Sequence, residues 1–88
     1  MSMHKDLQKK SVITLALMRK NGGRIKPMEL KQTLGISMRK VRYLLKLMTE
    51  EGMIVKHPDF YDLRTFWYEI NEDHPYSKSE EDLFSILS

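Results

Sequence analysis

Apolar positions along the chain fall into patterns of different period, and these patterns predict its elements. From about Lys5 to Lys20 the chain is helical in character. Val12 to Met18 is apolar at every position except Thr14, and Asn21-Gly22-Gly23 supplies a strong stop. Arg24-Ile25-Lys26 reads as a short extended link. Pro27 suits the first turn of a second helix, because its fixed φ and missing N–H cost nothing there. That helix is expected to run to Leu34, where Gly35 can close it in the left-handed conformation. Ser37 can then cap a third helix, which continues to about Glu51 and stops at Gly52.

Beyond Gly52 the period changes from helical to alternating. Met53 to His57 reads as a strand and Pro58-Asp59-Phe60-Tyr61-Asp62 as a turn. Arg64 to Ile70, rich in Thr, Phe, Trp and Tyr, reads as the returning strand. Alternation puts Phe66, Tyr68 and Ile70 on one face of that strand and Thr65, Trp67 and Glu69 on the other. One face should join the core. Trp67 is expected to cover the core's rim, with a partner surface as the other reading. Asn71 to Lys78 is a polar linker, and Ser79-Glu80-Glu81-Asp82 begins a last short helix in the manner of a capping box.

The third helix carries the candidate chemistry. At roughly 100° per residue, Met38, Val41, Leu44, Leu45 and Met48 gather on one side. Arg39, Tyr43, Lys46 and Glu50 gather on the other, flanked by Lys40 and Arg42. An arginine can fork onto guanine O6 and N7, while lysine and tyrosine suit phosphates. Taken alone, such a face is more often plain solvated charge. The preceding turn and the strands that follow favour nucleic-acid contact.

Charge sharpens the picture. The 88 residues carry a formal net charge of +3, yet residues 1–58 hold 13 Lys/Arg against 4 Asp/Glu, whereas residues 59–88 hold 2 against 8. A basic body with an acidic tail attracts a polyanion on one side only, although tail-to-body attraction would give the same distribution. The length suits one domain with a modest core. With no cysteine there is neither a disulfide framework nor a thiolate metal site. No apolar run approaches the ~20 residues that cross a bilayer and no signal peptide is visible, so a cytoplasmic location is expected.

Catalysis finds little support. His4, His57 and His74 are scattered, two of them directly before proline, without metal-ligand spacing. Gly22-Gly23 lacks the Lys-Ser/Thr signature of a phosphate loop. The seven methionines sit mostly at core spacing. No catalytic residue, metal site or cofactor is expected, and no motif suggests a small-molecule effector.

From about Val12 to Ile70 the chain resembles the winged helix-turn-helix transcriptional regulators, the broad group holding the MarR-, ArsR- and PadR-like repressors. The resemblance rests on Ile25-Lys26-Pro27-Met28-Glu29-Leu30, on Leu34-Gly35-Ile36-Ser37, and on Val41, Leu45, Met48, Gly52, Met53 and Ile54. It implies an α+β, mainly helical fold of three helices and a β-hairpin wing over residues 1–72, with Arg24 to Lys26 pairing with the wing strands. Residues 73–88 would add the acidic linker and the short C-terminal amphipathic helix. It also implies double-stranded DNA as partner, with the helix after Ser37 in the major groove.

The expected DNA contacts are Ser37, Met38, Arg39, Lys40, Arg42, Tyr43 and Lys46 on that helix, with Lys56, His57 and Arg64 at the shoulders of the wing. Lys9, Lys10, Arg24, Lys26 and Lys31 are secondary phosphate candidates. The wing tip departs from the family pattern. It has no glycine and bears Asp59 and Asp62, which a DNA backbone would repel, and Phe60 and Tyr61 are expected to pack into a compact turn.

The family commonly dimerises through its terminal helices. The first helix is apolar nearly all round, and Val12, Ile13, Ala16 and Leu17 are expected to face the third helix. A homodimer interface is therefore expected at Leu7, Leu15 and Met18 with Leu83, Phe84 and Leu87. The competing arrangement folds the tail back on its own first helix. Two functions follow: a sequence-specific DNA-binding regulator, or a winged-helix adaptor docking proteins within a larger complex, which the acidic tip, Trp67 and the tail would suit.

Overall fold

A computed structural model describes residues 5–62 and 64–74. The elements are α1 (Lys5–Lys20), β1 (Arg24–Ile25), α2 (Pro27–Leu34), α3 (Met38–Glu50), β2 (Ile54–Pro58) and β3 (Phe66–Ile70). The three strands form one antiparallel sheet in the order β1-β3-β2. Three helices and a β2–β3 hairpin are the expected winged helix-turn-helix arrangement, and Arg24-Ile25 pairs with Glu69-Tyr68 as anticipated. The C-terminal helix expected after Lys78, with Leu83, Phe84 and Leu87, lies outside the described residues.

Local chemistry sets the helix ends. Gly35 closes α2 at φ 65°, its N–H donating to Lys31 O over 2.9 Å. Two residues later the Ser37 hydroxyl accepts the Lys40 N–H at 3.2 Å and starts α3. This close pair of caps makes the turn between the helices short and fixes their angle. At the far end Gly52 takes φ 79°, and the Met53 N–H reaches back 2.9 Å to Met48 O in a Schellman arrangement. The chain thereby leaves α3 directly into β2.

One core joins these elements. Among the described residues it comprises Val12, Leu15 and Met18 of α1, Ile25, Leu30 of α2, Val41, Leu44, Leu45 and Met48 of α3, then Met53, Ile54, Tyr68 and Ile70. Burying each large aliphatic side chain contributes about 1.5–3 kcal/mol before entropy is counted. Tyr68 and Ile70 supply the core face of β3, with Phe66 at its partly exposed end. Burial pushes the Tyr68 phenol pKa up.

α1 turns a different side inward from the one its apolar count suggested. Its buried positions are Ser11, Val12, Thr14, Leu15 and Met18, while Ile13 is 41% exposed. The two hydroxyl residues explain the difference. Ser11 Oγ donates to Leu7 O at 2.8 Å and Thr14 Oγ1 to Lys10 O at 2.7 Å, so both are buried with their hydrogen bonds made within the helix. A stripe containing two satisfied hydroxyls is hidden from a count of apolar residues. Leu15 and Met18, expected at a dimer interface, are fully inside the protomer's own core, and Leu7 packs partly against it. No helix of the described residues is long and apolar enough to cross a membrane.

Candidate nucleic-acid interface

The core-facing stripe of α3 leaves its other face in solvent. Arg39, Lys40, Arg42, Tyr43 and Lys46 are all exposed there, with Ser37 exposed at the cap and Met38 half-buried against the core. Arg39, Tyr43, Lys46 and Glu50 recur at helical spacing and form one strip, so the cationic surface begins at the N-terminal turn and meets acid only at its far end. Helix packing on the apolar side holds the strip rigidly.

Beside this strip lies a cleft of about 1060 Å³ between α3 and the wing. Met38, Arg42, Lys46, Thr49 and Glu50 form its α3 wall, and Lys56, Arg64 and Phe66 are among the residues of its wing wall. Lys26 and Pro27, at the start of α2, line it as well. The Lys56 ammonium sits 4.0 Å from the Phe66 ring centre, a cation–π contact that holds it at the wall.

Alternation along β2 separates residues that sequence reading had grouped together. Lys56 belongs to the cleft side of the sheet, whereas His57 belongs to the outer side. There His57 stacks on Trp67, with ring centres 4.3 Å apart and planes 17° from parallel, and its Nε2–H donates to Glu69 Oε1 at 3.2 Å. The Arg24 guanidinium lies 4.8 Å from the Trp67 ring centre. Trp67 is thus half-buried under polar neighbours on the sheet face turned away from Tyr68 and Ile70, rather than at the rim of the core. Arg64, 91% exposed at its side chain, lies in the connection between β2 and β3 and contacts Asp62 at 3.2 Å.

The tip corrects the expectation of a self-packed turn. Phe60 is 85% and Tyr61 102% exposed, so neither ring is used to hold the turn. Asp59 holds it instead. Its Oδ1 accepts the N–H of Tyr61 at 2.9 Å and of Asp62 at 3.4 Å, and its Oδ2 accepts the Thr65 hydroxyl at 3.3 Å. The Lys26 ammonium lies 3.5 Å from the same Oδ2. The Tyr61 amide lowers the Asp59 pKa most, desolvation opposes it next, and the Asp62 amide and the Lys26 charge add further lowering. Asp59 is therefore a structural anion, turned inward with its side chain only 12% exposed, and Asp62 is paired with Arg64. An aspartate followed by polar turn residues is the sequence signal for such a side-chain-to-backbone turn; the flanking aromatics obscured it.

Of the secondary phosphate candidates, Arg24 and Lys26 are committed to Trp67 and Asp59, and Lys10 pairs with Asp6 at 2.8 Å. Lys9 and Lys31 are exposed.

No protein-family model and no curated protein matches the chain. Solved structures do. The adhesin competence repressor (AdcR) of Streptococcus pyogenes superposes with a TM-score of 0.70 at 22% identity, over 86% of this chain and 55% of the other. A mutant of ZitR from Lactococcus lactis in its apo form gives 0.72 at 20% identity, over 91% and 60%. A mutant MarR from Escherichia coli, complexed with operator DNA, gives 0.64 at 16% identity, over 90% and 50%. The chain thus spans between half and three fifths of the length of these neighbours. What it shares with them is the winged helix-turn-helix fold.

Proposed function

We propose that this protein is a sequence-specific double-stranded DNA-binding protein, a transcriptional regulator that places α3 in the major groove. The observation that carries the reading is the uninterrupted exposure of Arg39, Lys40, Arg42, Tyr43 and Lys46 on one rigid helix face. Helices of this diameter enter the major groove of B-DNA, and N-terminal residues of a recognition helix meet base edges there. Arg39 and Arg42 are assigned to bases. Lys40, Tyr43, Lys46, Lys56 and Arg64 are assigned to phosphates, with Ser37 and Met38 at the base-facing end. His57 is an indirect contributor, bracing the wing through Trp67 and Glu69. MarR of Escherichia coli, whose structure is a complex with operator DNA, supports the reading through its fold.

This reading gives the protein no catalytic role, no cofactor and no small-molecule effector, and it works in the cytoplasm. We also propose a homodimer, since C2 dimers are the commonest assemblies and place two recognition helices on a palindromic site. With Leu15 and Met18 withdrawn into the core, the outward side of α1 around Ile13 is the surface of that helix left for a partner, and Leu83, Phe84 and Leu87 remain the other proposed interface residues.

Selection of bound sequences from a random duplex pool tests the reading. Enrichment of a defined motif supports it, and symmetry in the motif reports the dimer. The adaptor reading has one observation in its favour, the aromatic side chains exposed on the wing. It gains if the pool yields no enrichment.

A further inference from the structure

We propose that Phe60 and Tyr61 form an aromatic wedge that enters the DNA minor groove beside the α3 site and unstacks a base step there. The proposal rests on the DNA-binding reading and extends it to the wing tip, whose two acids had argued against insertion.

Adjacent aromatic side chains in solvent at 85% and 102% exposure hold a large unburied apolar area, and the turn does not need either of them. Their backbone is fixed. Asp59 anchors the Tyr61 and Asp62 amides and is tied to Lys26 at the start of α2, so the rings stand on a braced platform. The two acids that would repel DNA are occupied, Asp59 by its donors and Lys26, Asp62 by Arg64.

The cleft places the wedge. Lys46 on the α3 side and Lys56 and Arg64 on the wing side line it, with Glu50 as its one carboxylate without such a pairing. A channel walled by cations on both sides suits a sugar-phosphate strand. Such a strand separates the two grooves of the duplex. If it runs between α3 and the wing, α3 lies on its major-groove side and the wing tip on its minor-groove side. Tyr61 lines the cleft together with Asp62 and Arg64 and also borders the neighbouring pocket beside Arg24 and Trp67, so the tip stands on the far side of such a strand from α3, toward the minor groove. Apolar side chains inserted from that groove part the stack and kink the helix, most readily at flexible pyrimidine–purine steps. The wedge therefore adds a preference for such a step at a fixed offset from the bases read by α3.

The test uses the full chain and an A·T-rich duplex with several TpA steps, in which adenines are replaced by a fluorescent analogue quenched by stacking. Anisotropy of a separate end label reports binding. The wild type is expected to bind and raise the analogue's fluorescence. Phe60→Ala and Tyr61→Ala should bind with the rise largely lost and affinity roughly five- to a hundredfold weaker, as for removal of a base-stacking aromatic. Phe60→Leu, still able to wedge, should keep most of the rise. Both rings lie in solvent, so these changes leave the core intact. Binding without a rise, or an undiminished rise in both alanine variants, overturns the wedge while leaving DNA binding standing. Absence of any anisotropy change overturns the DNA reading and the wedge with it.

Discussion

Lys26 and Asp59 meet at 3.5 Å although the chain between them holds α2, α3 and β2. One residue precedes the helix-turn-helix and the other begins the wing tip, so this contact joins the two parts that a winged helix must hold in register. Solvent weakens the charge attraction, and the contact acts mainly by positioning. Asp59→Ala is expected to speed hydrogen exchange at the Tyr61 and Asp62 amides, which lose their acceptor, while the exchange of α1 amides stays unchanged. Acid should do the same. The folded pKa of Asp59 lies below its ordinary value of 3.8, so its contribution is present above that value and is lost as pH falls through the folded value. Exchange rates followed from neutral pH downward, corrected for intrinsic pH dependence, check this.

α1 offers a clean separation between core and interface. Leu15→Ala should cost about 2–5 kcal/mol of unfolding free energy, because the side chain is fully enclosed. The loss should be independent of protein concentration, as a cavity within one protomer requires. Ile13→Ser, on the exposed side, should change monomer stability by less than about 1 kcal/mol. Should the proposed dimer use that side, Ile13→Ser weakens self-association in sedimentation while Leu15→Ala shows itself in chemical denaturation.

How much of this was legible in the sequence depended on whether the signal was local. Pro27, Gly35, Ser37 and Gly52 are punctuation whose backbone chemistry acts within a few residues, and they delimit α2 and α3 as expected. The strong amphipathic stripe of α3 located its core and its free face. Inward side chains of α1 were misread because Ser11 and Thr14, polar by name, satisfy themselves against their own helix. The wing tip was misread for a related reason. Asp59 builds the turn through the nearby Tyr61 and Asp62 amides, a local signal that the flanking aromatics obscured, and only its tie to Lys26, 33 positions away, lies beyond any local pattern. Likewise the stacking of His57 on Trp67 and the approach of Arg24 require knowing the strand register.

The turn between α2 and α3 should be sensitive out of proportion to its exposure. Ser37→Ala removes the acceptor of the Lys40 amide and should cost about 0.5–2 kcal/mol. Gly35→Ala meets no atom within 4 Å, so its cost is conformational, arising from φ 65°. A loss of about 1 kcal/mol is expected. Denaturant unfolding measures both, and the free energies should sum less cleanly than for distant sites because the two caps set one turn.

On α3 the proposed roles separate by specificity. Arg39→Ala and Arg42→Ala should each cost about 1–3 kcal/mol on a selected duplex and much less on random sequence, if their guanidinium groups fork onto guanine. Lys46→Ala should weaken both duplexes alike and reduce the salt slope by about 1. Equal losses for all three variants on both duplexes would reassign the arginines to backbone contacts.

The central claim is that the cationic strip of α3 and the cleft beside it grip a nucleic-acid backbone. Titrating duplex affinity against salt measures that grip most directly. Engagement of about six phosphates predicts a log–log slope near −5. Failure to bind any duplex at low salt, or an affinity indifferent to salt, would contradict it.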